Sequence, residues 1–287
     1  GIIMKQKNKV LLVIFLVTSL FTGCSITNKQ EENRMLTNKE KAVELLNSIQ
    51  TGATAPIAYV NANKYIQHNL SVKDGLAGFS EVLSHLPKGS AKVEVQRSFE
   101  DENFVFTHTK YNFFGPKAGF DIFRFEDGKI VEHWDNLQEI VEKTASGRTQ
   151  FDGSAKITDL DKTIENKSLI KDFISDVLMG KNPSKITQYI STEKYIQHNP
   201  HVKDGLAGLG EAIEALNKAN MPMVYKKNHM ILGEGNFVLS VSEGEFMKKH
   251  VSFYDLFRIE NNKIVEHWDT IEEILSQDKW QNKNGKF

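Results

Sequence analysis

The sequence predicts an α+β chain in which one helices-then-strands unit is used twice. Three observations predict it. First, Lys129-Ile130-Val131-Glu132-His133-Trp134-Asp135 returns unchanged as Lys263-Ile264-Val265-Glu266-His267-Trp268-Asp269, and Val72-Lys73-Asp74-Gly75-Leu76-Ala77-Gly78 returns as Val202-Lys203-Asp204-Gly205-Leu206-Ala207-Gly208. Identical stretches so far apart mark an internal repeat. Second, in each copy the apolar residues recur first at helical spacing and then at alternate positions. Third, each His-Trp-Asp stretch follows Asp127-Gly128 or Asn261-Asn262 between β-rich runs, which is a hairpin signal. Helices grouped ahead of antiparallel strands pack on one face of a sheet.

In the first copy Asn38-Lys39 opens a helix carrying Ala42, Val43, Leu45, Leu46 and Ile49, stopped near Gly52. A short second helix is expected to end in Tyr65-Ile66-Gln67-His68-Asn69, and a third to cover 79–86. Strands are expected at 91–99, 104–111, 120–125 and 129–135, followed by a short helix near 137–141. In the second copy the first helix runs from Asn166-Lys167 to Gly180, the second ends in Tyr195-Ile196-Gln197-His198-Asn199, and the third covers 209–216. Its strands fall at 223–232, 236–242, 251–259 and 263–268, with a last helix near 271–275. The stretch 143–162 is rich in Ser, Gly, Thr, Asp and Lys without apolar periodicity and reads as a linker.

A length of 287 residues favours two domains, and 40% apolar content supplies a core for each. The formal charge is −1, so nothing suggests an electrostatic footprint for nucleic acid. Lys5, Lys7 and Lys9 precede an apolar run, 10–21, too short for an ordinary membrane span but suited to a signal segment. Removing these three lysines takes the charge from −1 to −4. The run ends in Gly23-Cys24, and Cys24 is the single cysteine. This resembles a bacterial lipobox, which implies lipidation of Cys24 and an extracytoplasmic protein anchored to the membrane. The expected organisation is a signal segment 1–23, a tether 24–37, a first domain 38–142, a linker 143–162, a second domain 163–276 and a tail 277–287.

The motifs Tyr-Ile-Gln-His-Asn, Phe-Asp-Ile-Phe-Arg (120–124) and Asp-Gly-Lys-Ile-Val-Glu-His-Trp-Asp (127–135) resemble SnoaL-like proteins of the NTF2-like superfamily, and the likeness spans nearly all of both copies. It implies two tandem NTF2-like cones, each a curved antiparallel sheet packed on about three helices around an apolar pocket. It implies a small apolar or carbonyl-containing ligand, an intrachain pseudo-dimer, and, by analogy with polyketide cyclases, aldol or proton-transfer chemistry without metal or cofactor. The catalytic roles then fall on His133 and Asp135, and on His267 and Asp269. The superfamily also holds members without catalysis, so a ligand-binding or envelope-partner-binding module stands as the alternative.

The residues themselves support a site. His133 and Asp135 share one face of a strand, as do His267 and Asp269. A carboxylate whose pKa is raised by burial can take a proton beside a carbonyl, and an imidazole can donate to the resulting oxyanion. Asp121 and Asp255 lie among aromatic residues, where a carboxylate needs a partner, and are expected in the pocket. His68 and His198 are expected at helix C-termini, as ligand-orienting groups or as charge complements to the helix ends. His108 aligns with Val241 and Tyr111 with Gly244, so the first copy carries an extra histidine and is the one expected to be active if only one copy is. His-x-Asp on one strand offers only two metal ligands, so no metal is expected.

Overall fold

A computed structural model describes residues 34–287. The signal segment and Cys24 lie outside the described residues. Asn38–Phe287 forms one compact unit that contains both repeats.

Repeat 1 starts with helix α1, Asn38–Thr51, which buries Ala42, Leu45 and Leu46 against the sheet. A 3-10 turn at Ala55–Tyr59 leads to β1, Ile66–Gln67, then α2, Gly75–His85. Four strands follow: β2 Lys92–Asp101, β3 Phe104–Asn112, β4 Pro116–Glu126 and β5 Lys129–Glu139. Repeat 2 gives α3 Thr163–Phe173 with a π-helical turn Ile174–Leu178, then α4 Ile186–Tyr189, β6 Ile196–Gln197 and α5 Gly205–Lys218. Its strands are β7 Val224–Glu234, β8 Phe237–Phe246, β9 Lys249–Glu260 and β10 Lys263–Glu273. The sheet orders match: β1-β5-β4-β3-β2 and β6-β10-β9-β8-β7. The architecture is α+β, two tandem cones.

Three expectations are corrected. Tyr-Ile-Gln-His-Asn does not end a helix; Ile66–Gln67 and Ile196–Gln197 pair parallel with β5 and β10, so each sheet is mixed. The short helices expected near 137–141 and 271–275 are instead strand, because β5 runs to Glu139 and β10 to Glu273 in register with β4 and β9. The linker is not loose: Gln150 and Phe151 are buried.

Each sheet has two apolar faces. One carries the helices, as with Val105, Phe123, Tyr65 and Leu45 in repeat 1 and Val238, Phe257, Tyr195 and Ile170 in repeat 2. The other packs repeat on repeat: Phe106, Phe120, Ile122 and Trp134 meet Leu239, Tyr254, Leu256 and Trp268 in one cluster. Polar contacts cross the same boundary reciprocally. Glu100 donates its N–H to Glu234 (2.7 Å) and Gly233 donates its N–H to Asp101 (2.9 Å). Lys167 of α3 pairs with Asp101 and Lys39 of α1 with Glu234.

The segment after each repeat straps across the other. Ala145 N–H donates to Pro200 O, and Gln281 N–H donates to Leu70 O. Arg148 pairs with Asp204 where Asn284 bonds Asp74. Both the expected linker and the expected tail are therefore part of the packed structure, because their backbone donors and acceptors are met by the opposite repeat.

Candidate functional site

The parallel pairing of β1 with β5 builds the first site. It sets Gln67 beside His133. The β4–β5 register sets Asp121 opposite Asp135, and the β3–β4 register sets Thr107 opposite Asp121. His133 Nδ1 lies 2.9 Å from Gln67 Oε1. That atom also accepts the Asn69 N–H at 2.9 Å, which identifies it as the oxygen. His133 Nδ1 therefore carries a proton and donates it. On the other side Nε2 lies 3.0 Å from Asp121 Oδ1. Asp121 Oδ2 accepts from the Tyr111 hydroxyl at 2.7 Å, and Asp135 Oδ2 accepts from Asn69 Nδ2 at 2.7 Å. Asp135 Oδ1 is buried with no hydrogen-bond partner.

The second site repeats this arrangement. His267 is held between Gln197 Oε1 (2.8 Å) and Asp255 Oδ1 (2.9 Å). Asn199 donates to Asp269 Oδ2 at 2.7 Å, and Asp269 Oδ1 has no partner. The phenol on Asp255 Oδ2 is Tyr225, at 3.0 Å. Burial opposes a charge on His267, but the Asp255 hydrogen bond and the carboxylates of Asp269 and Asp255 outweigh it and hold its pKa above the ordinary imidazole value. Burial pushes Asp269 up to about 6, against the opposing charge of His267. Burial, reinforced by Asp121 and Asp255 respectively, holds the Tyr111 and Tyr225 phenols well above the ordinary value, so both stay protonated donors.

The structure thus brings together His133, Asp135 and Asp121, and His267, Asp269 and Asp255, all under 9% exposed. It does not bring in His68, His198 or His108. Side chains alternate along a strand, so His68 points away from Gln67 and Asn69, to the face between the repeats. There it stacks on Trp134 at 4.7 Å, with Nε2 2.8 Å from Glu132 and Nδ1 2.9 Å from Gly285 O of the tail. His198 does the same with Trp268, Glu266 and Thr149 O. These histidines tie straps to sheets and do not line the cones. His108 is also on the inter-repeat face, against Arg97, Phe120 and Phe151. Burial and the Arg97 charge hold it well below the ordinary imidazole value, so it is a neutral core group. The extra histidine therefore gives no reason to favour repeat 1. Gln67, Asn69, Gln197, Asn199 and Tyr225 were missed. For the glutamines and asparagines the signal was the Gln-His-Asn alternation itself, which in a strand sends glutamine and asparagine inward and histidine outward; Tyr225 on β7 had none.

The donor atoms of Asp121, His133 and Asp135 lie within 4.8 Å of one another, as do those of Asp255, His267 and Asp269. A cation would fit there only by displacing the Asp–His hydrogen bond. Lys286 of the tail reaches the rim of the first site. Its Nζ donates to Asp135 O (2.7 Å) and Glu272 (2.8 Å) and lies 3.9 Å from Asp135 Oδ1. An open groove of about 660 Å³ adjoins the first cone, lined by Thr54, Ile57, Val60, Leu76 and Lys129. Val60 and Leu76 belong to the same apolar cluster as Tyr65 and Tyr111. Helices α2 and α5 fully bury only Gly78 and Gly208, while Leu76 and Phe79, and Leu206 and Leu209, pack half-buried against the cone clusters.

No family model and no curated protein matches this chain. Among solved structures it is similar to an NTF2-like protein of unknown function from Cytophaga hutchinsonii, at 17% identity over 37% of this chain and 94% of that one, with a TM-score of 0.33. It is similar to a candidate polyketide cyclase from Acidithiobacillus ferrooxidans, at 16% identity over 38% of this chain and 88% of that one, TM-score 0.31. A third similar structure is an epoxide hydrolase of M. tuberculosis described as LEH-like, at 17% identity over 39% and 85%, TM-score 0.30.

Proposed function

We propose that each cone is a small-molecule site for cofactor-free acid–base chemistry on a carbonyl compound, with Asp135 and Asp269 as the proton-transferring carboxylates. One observation carries this reading: in both repeats one carboxylate oxygen, Oδ1 of Asp135 or of Asp269, is buried without a hydrogen bond, while the imidazole and the second carboxylate beside it are held. The free oxygen takes a proton from the carbon next to the carbonyl. The C–H electron pair moves onto the carbonyl oxygen and gives an enolate. The proton then returns at another carbon, or the enolate carbon attacks a second carbonyl. At the second site Asp269, pushed up to about 6 by burial, is well placed as such a base near neutral pH. The imidazole stays beside the carboxylates, its Nδ1 on Gln67 or Gln197 and its Nε2 on Asp121 or Asp255. It donates to a substrate oxygen only if that oxygen takes the place of Asp121 or Asp255 at Nε2.

The test is exchange of the α-protons of 1-tetralone in D₂O, followed by NMR. The expected result is catalysed exchange that falls on the order of 10²-fold or more in the Asp135→Asn/Asp269→Asn double variant. Binding without exchange would favour the second reading, a binding module without turnover, to which the enclosure of both sites also lends support.

We further propose that the protein is an extracytoplasmic lipoprotein held by a lipid on Cys24. The lysine-rich start, the apolar run and Gly23-Cys24 support this. Among the described residues no helix is long and apolar enough to cross a membrane. Labelled palmitate should enter the wild-type protein and not Cys24→Ser. The reciprocal Glu100–Glu234 and Gly233–Asp101 contacts support reading the repeats as a pseudo-dimer within one chain.

A further inference from the structure

We infer that the two cones select different ligands, and that the first takes a carbonyl compound carrying a second hydrogen-bonding oxygen, which Thr107 and Thr109 hold. The inference rests on the acid–base reading only for which end of the ligand meets Asp135.

Thr107 and Thr109 are fully buried on the cone face of β3, and neither hydroxyl has a hydrogen-bond partner. Thr109 lies near the Tyr111 phenol but without hydrogen-bond geometry. A buried polar group left unpaired costs about 1–3 kcal/mol, and native cores rarely keep two side by side without a use. The same positions in repeat 2 are Ser240 and Ser242. There Asn228 of β7 donates to both hydroxyls, at 3.0 and 3.1 Å. Val95 stands at the position of Asn228: it pairs with Thr109 as Asn228 pairs with Ser242. Val95 is half-buried and has no polar atom to offer. The second cone therefore satisfies its own hydroxyls, and the first presents two to whatever enters.

Register fixes the spacing. Thr107, Asp121 and Asp135 lie in one row across β3, β4 and β5. Two strand spacings separate Thr107 from Asp135, about 10 Å from backbone to backbone. Side chains from both ends shorten this, so a bicyclic ketone with a hydroxyl at its far end spans the gap. The apolar surroundings, Tyr65, Phe79, Phe113 and Leu137, suit a ring system. The groove beside Val60 and Leu76 supplies open space next to this cone.

The experiment compares 6-hydroxy-1-tetralone with 1-tetralone on the protein from residue 34 onward and on the full chain, by calorimetry and by methyl NMR. The hydroxyketone should bind about tenfold tighter, with the largest shifts at the Thr107 and Thr109 methyls. Thr107→Val/Thr109→Val should cut that preference to about twofold or less. Val95→Asn, which transplants the residue of repeat 2, should do the same and decides the matter if the double variant does not fold. Equal affinities, a preference that survives Val95→Asn, shifts confined to repeat 2, or no binding of either ketone at millimolar concentration each overturn the inference. Asp135→Asn separates it from the acid–base reading: that variant should keep the hydroxyl preference and lose α-proton exchange from the first cone.

Discussion

The two cones hold the same polar constellation by different means. In the first, the phenol on the pocket aspartate comes from Tyr111 of β3, whose ring lies over Gly119 of β4; a Cβ on Gly119 would sit 2.3 Å from that ring. In the second, the position of Tyr111 is Gly244 and the position of Gly119 is Phe253. The phenol comes instead from Tyr225 of β7, directly opposite Gly244 and stacked on Phe253 at 4.2 Å. A hydroxyl reaches the same carboxylate oxygen from a neighbouring strand, and the missing ring volume is refilled from the strand on the other side. Alignment alone reads this as a lost tyrosine. The chemistry belongs to a place in space that two different positions in the repeat can fill.

The surroundings differ as well. The first cone has an ammonium, Lys286, 3.9 Å from its unpartnered aspartate oxygen. The strap crossing the second repeat carries Gln150 at the corresponding place. The straps also treat the tryptophans unequally: Trp268 Nε1 donates to Asp152 O at 2.8 Å, whereas Trp134 Nε1 has no partner.

The sharpest way to break the comparison is to mix the two solutions. Gly119→Phe puts the ring of repeat 2 into a cone that already contains Tyr111 and should cost about 3 kcal/mol or more in denaturant unfolding. Adding Tyr111→Gly should recover part of that loss, with a coupling energy of about 1 kcal/mol or more. Simple additivity of the two changes would show that ring volume is not shared between these positions.

A comparable effect is expected from pH at the second site. Asp269, pushed up to about 6 by burial, binds its proton more tightly folded than unfolded. Its contribution is complete below about pH 4 and is lost as pH rises through 6, by up to about 3 kcal/mol. His267, also raised, acts in the same direction at higher pH. The wild-type protein should therefore lose stability relative to Asp269→Asn between pH 4 and pH 7. A difference that is flat, or that rises with pH, would contradict the burial argument.

The smallest effect concerns the straps. Trp268→Phe removes a made hydrogen bond, leaving Asp152 O to Arg97 alone, and should cost about 1 kcal/mol more than Trp134→Phe. Equal costs, by thermal or denaturant unfolding, would mean that the Asp152 contact adds nothing to the strap.

The sequence by itself determined the repeat, the α+β class, eight main strands to within a few residues, and the placement of His133 with Asp135 and of His267 with Asp269 on a shared face. These follow from local rules: hydrophobic period, turn residues and the alternation of a strand. Arg124 and Arg258, three residues on from Asp121 and Asp255 and therefore on the other face of the strand, pair there with Glu132 and Glu266. Only the tertiary structure decided which other groups join the site. Five residues from Tyr65 to Asn69 fit a helix end and a short strand equally well on local grounds. Parallel pairing with β5 made them a strand, and that choice sent Gln67 and Asn69 into the cone and His68 out of it. The straps were illegible for a related reason. Their residues have no apolar periodicity because they pack on the opposite repeat through backbone hydrogen bonds and single polar side chains such as Arg148, Asn284 and Lys286. Local pattern records how a segment meets its own element; it carries little trace of a surface that a distant part of the chain brings to it.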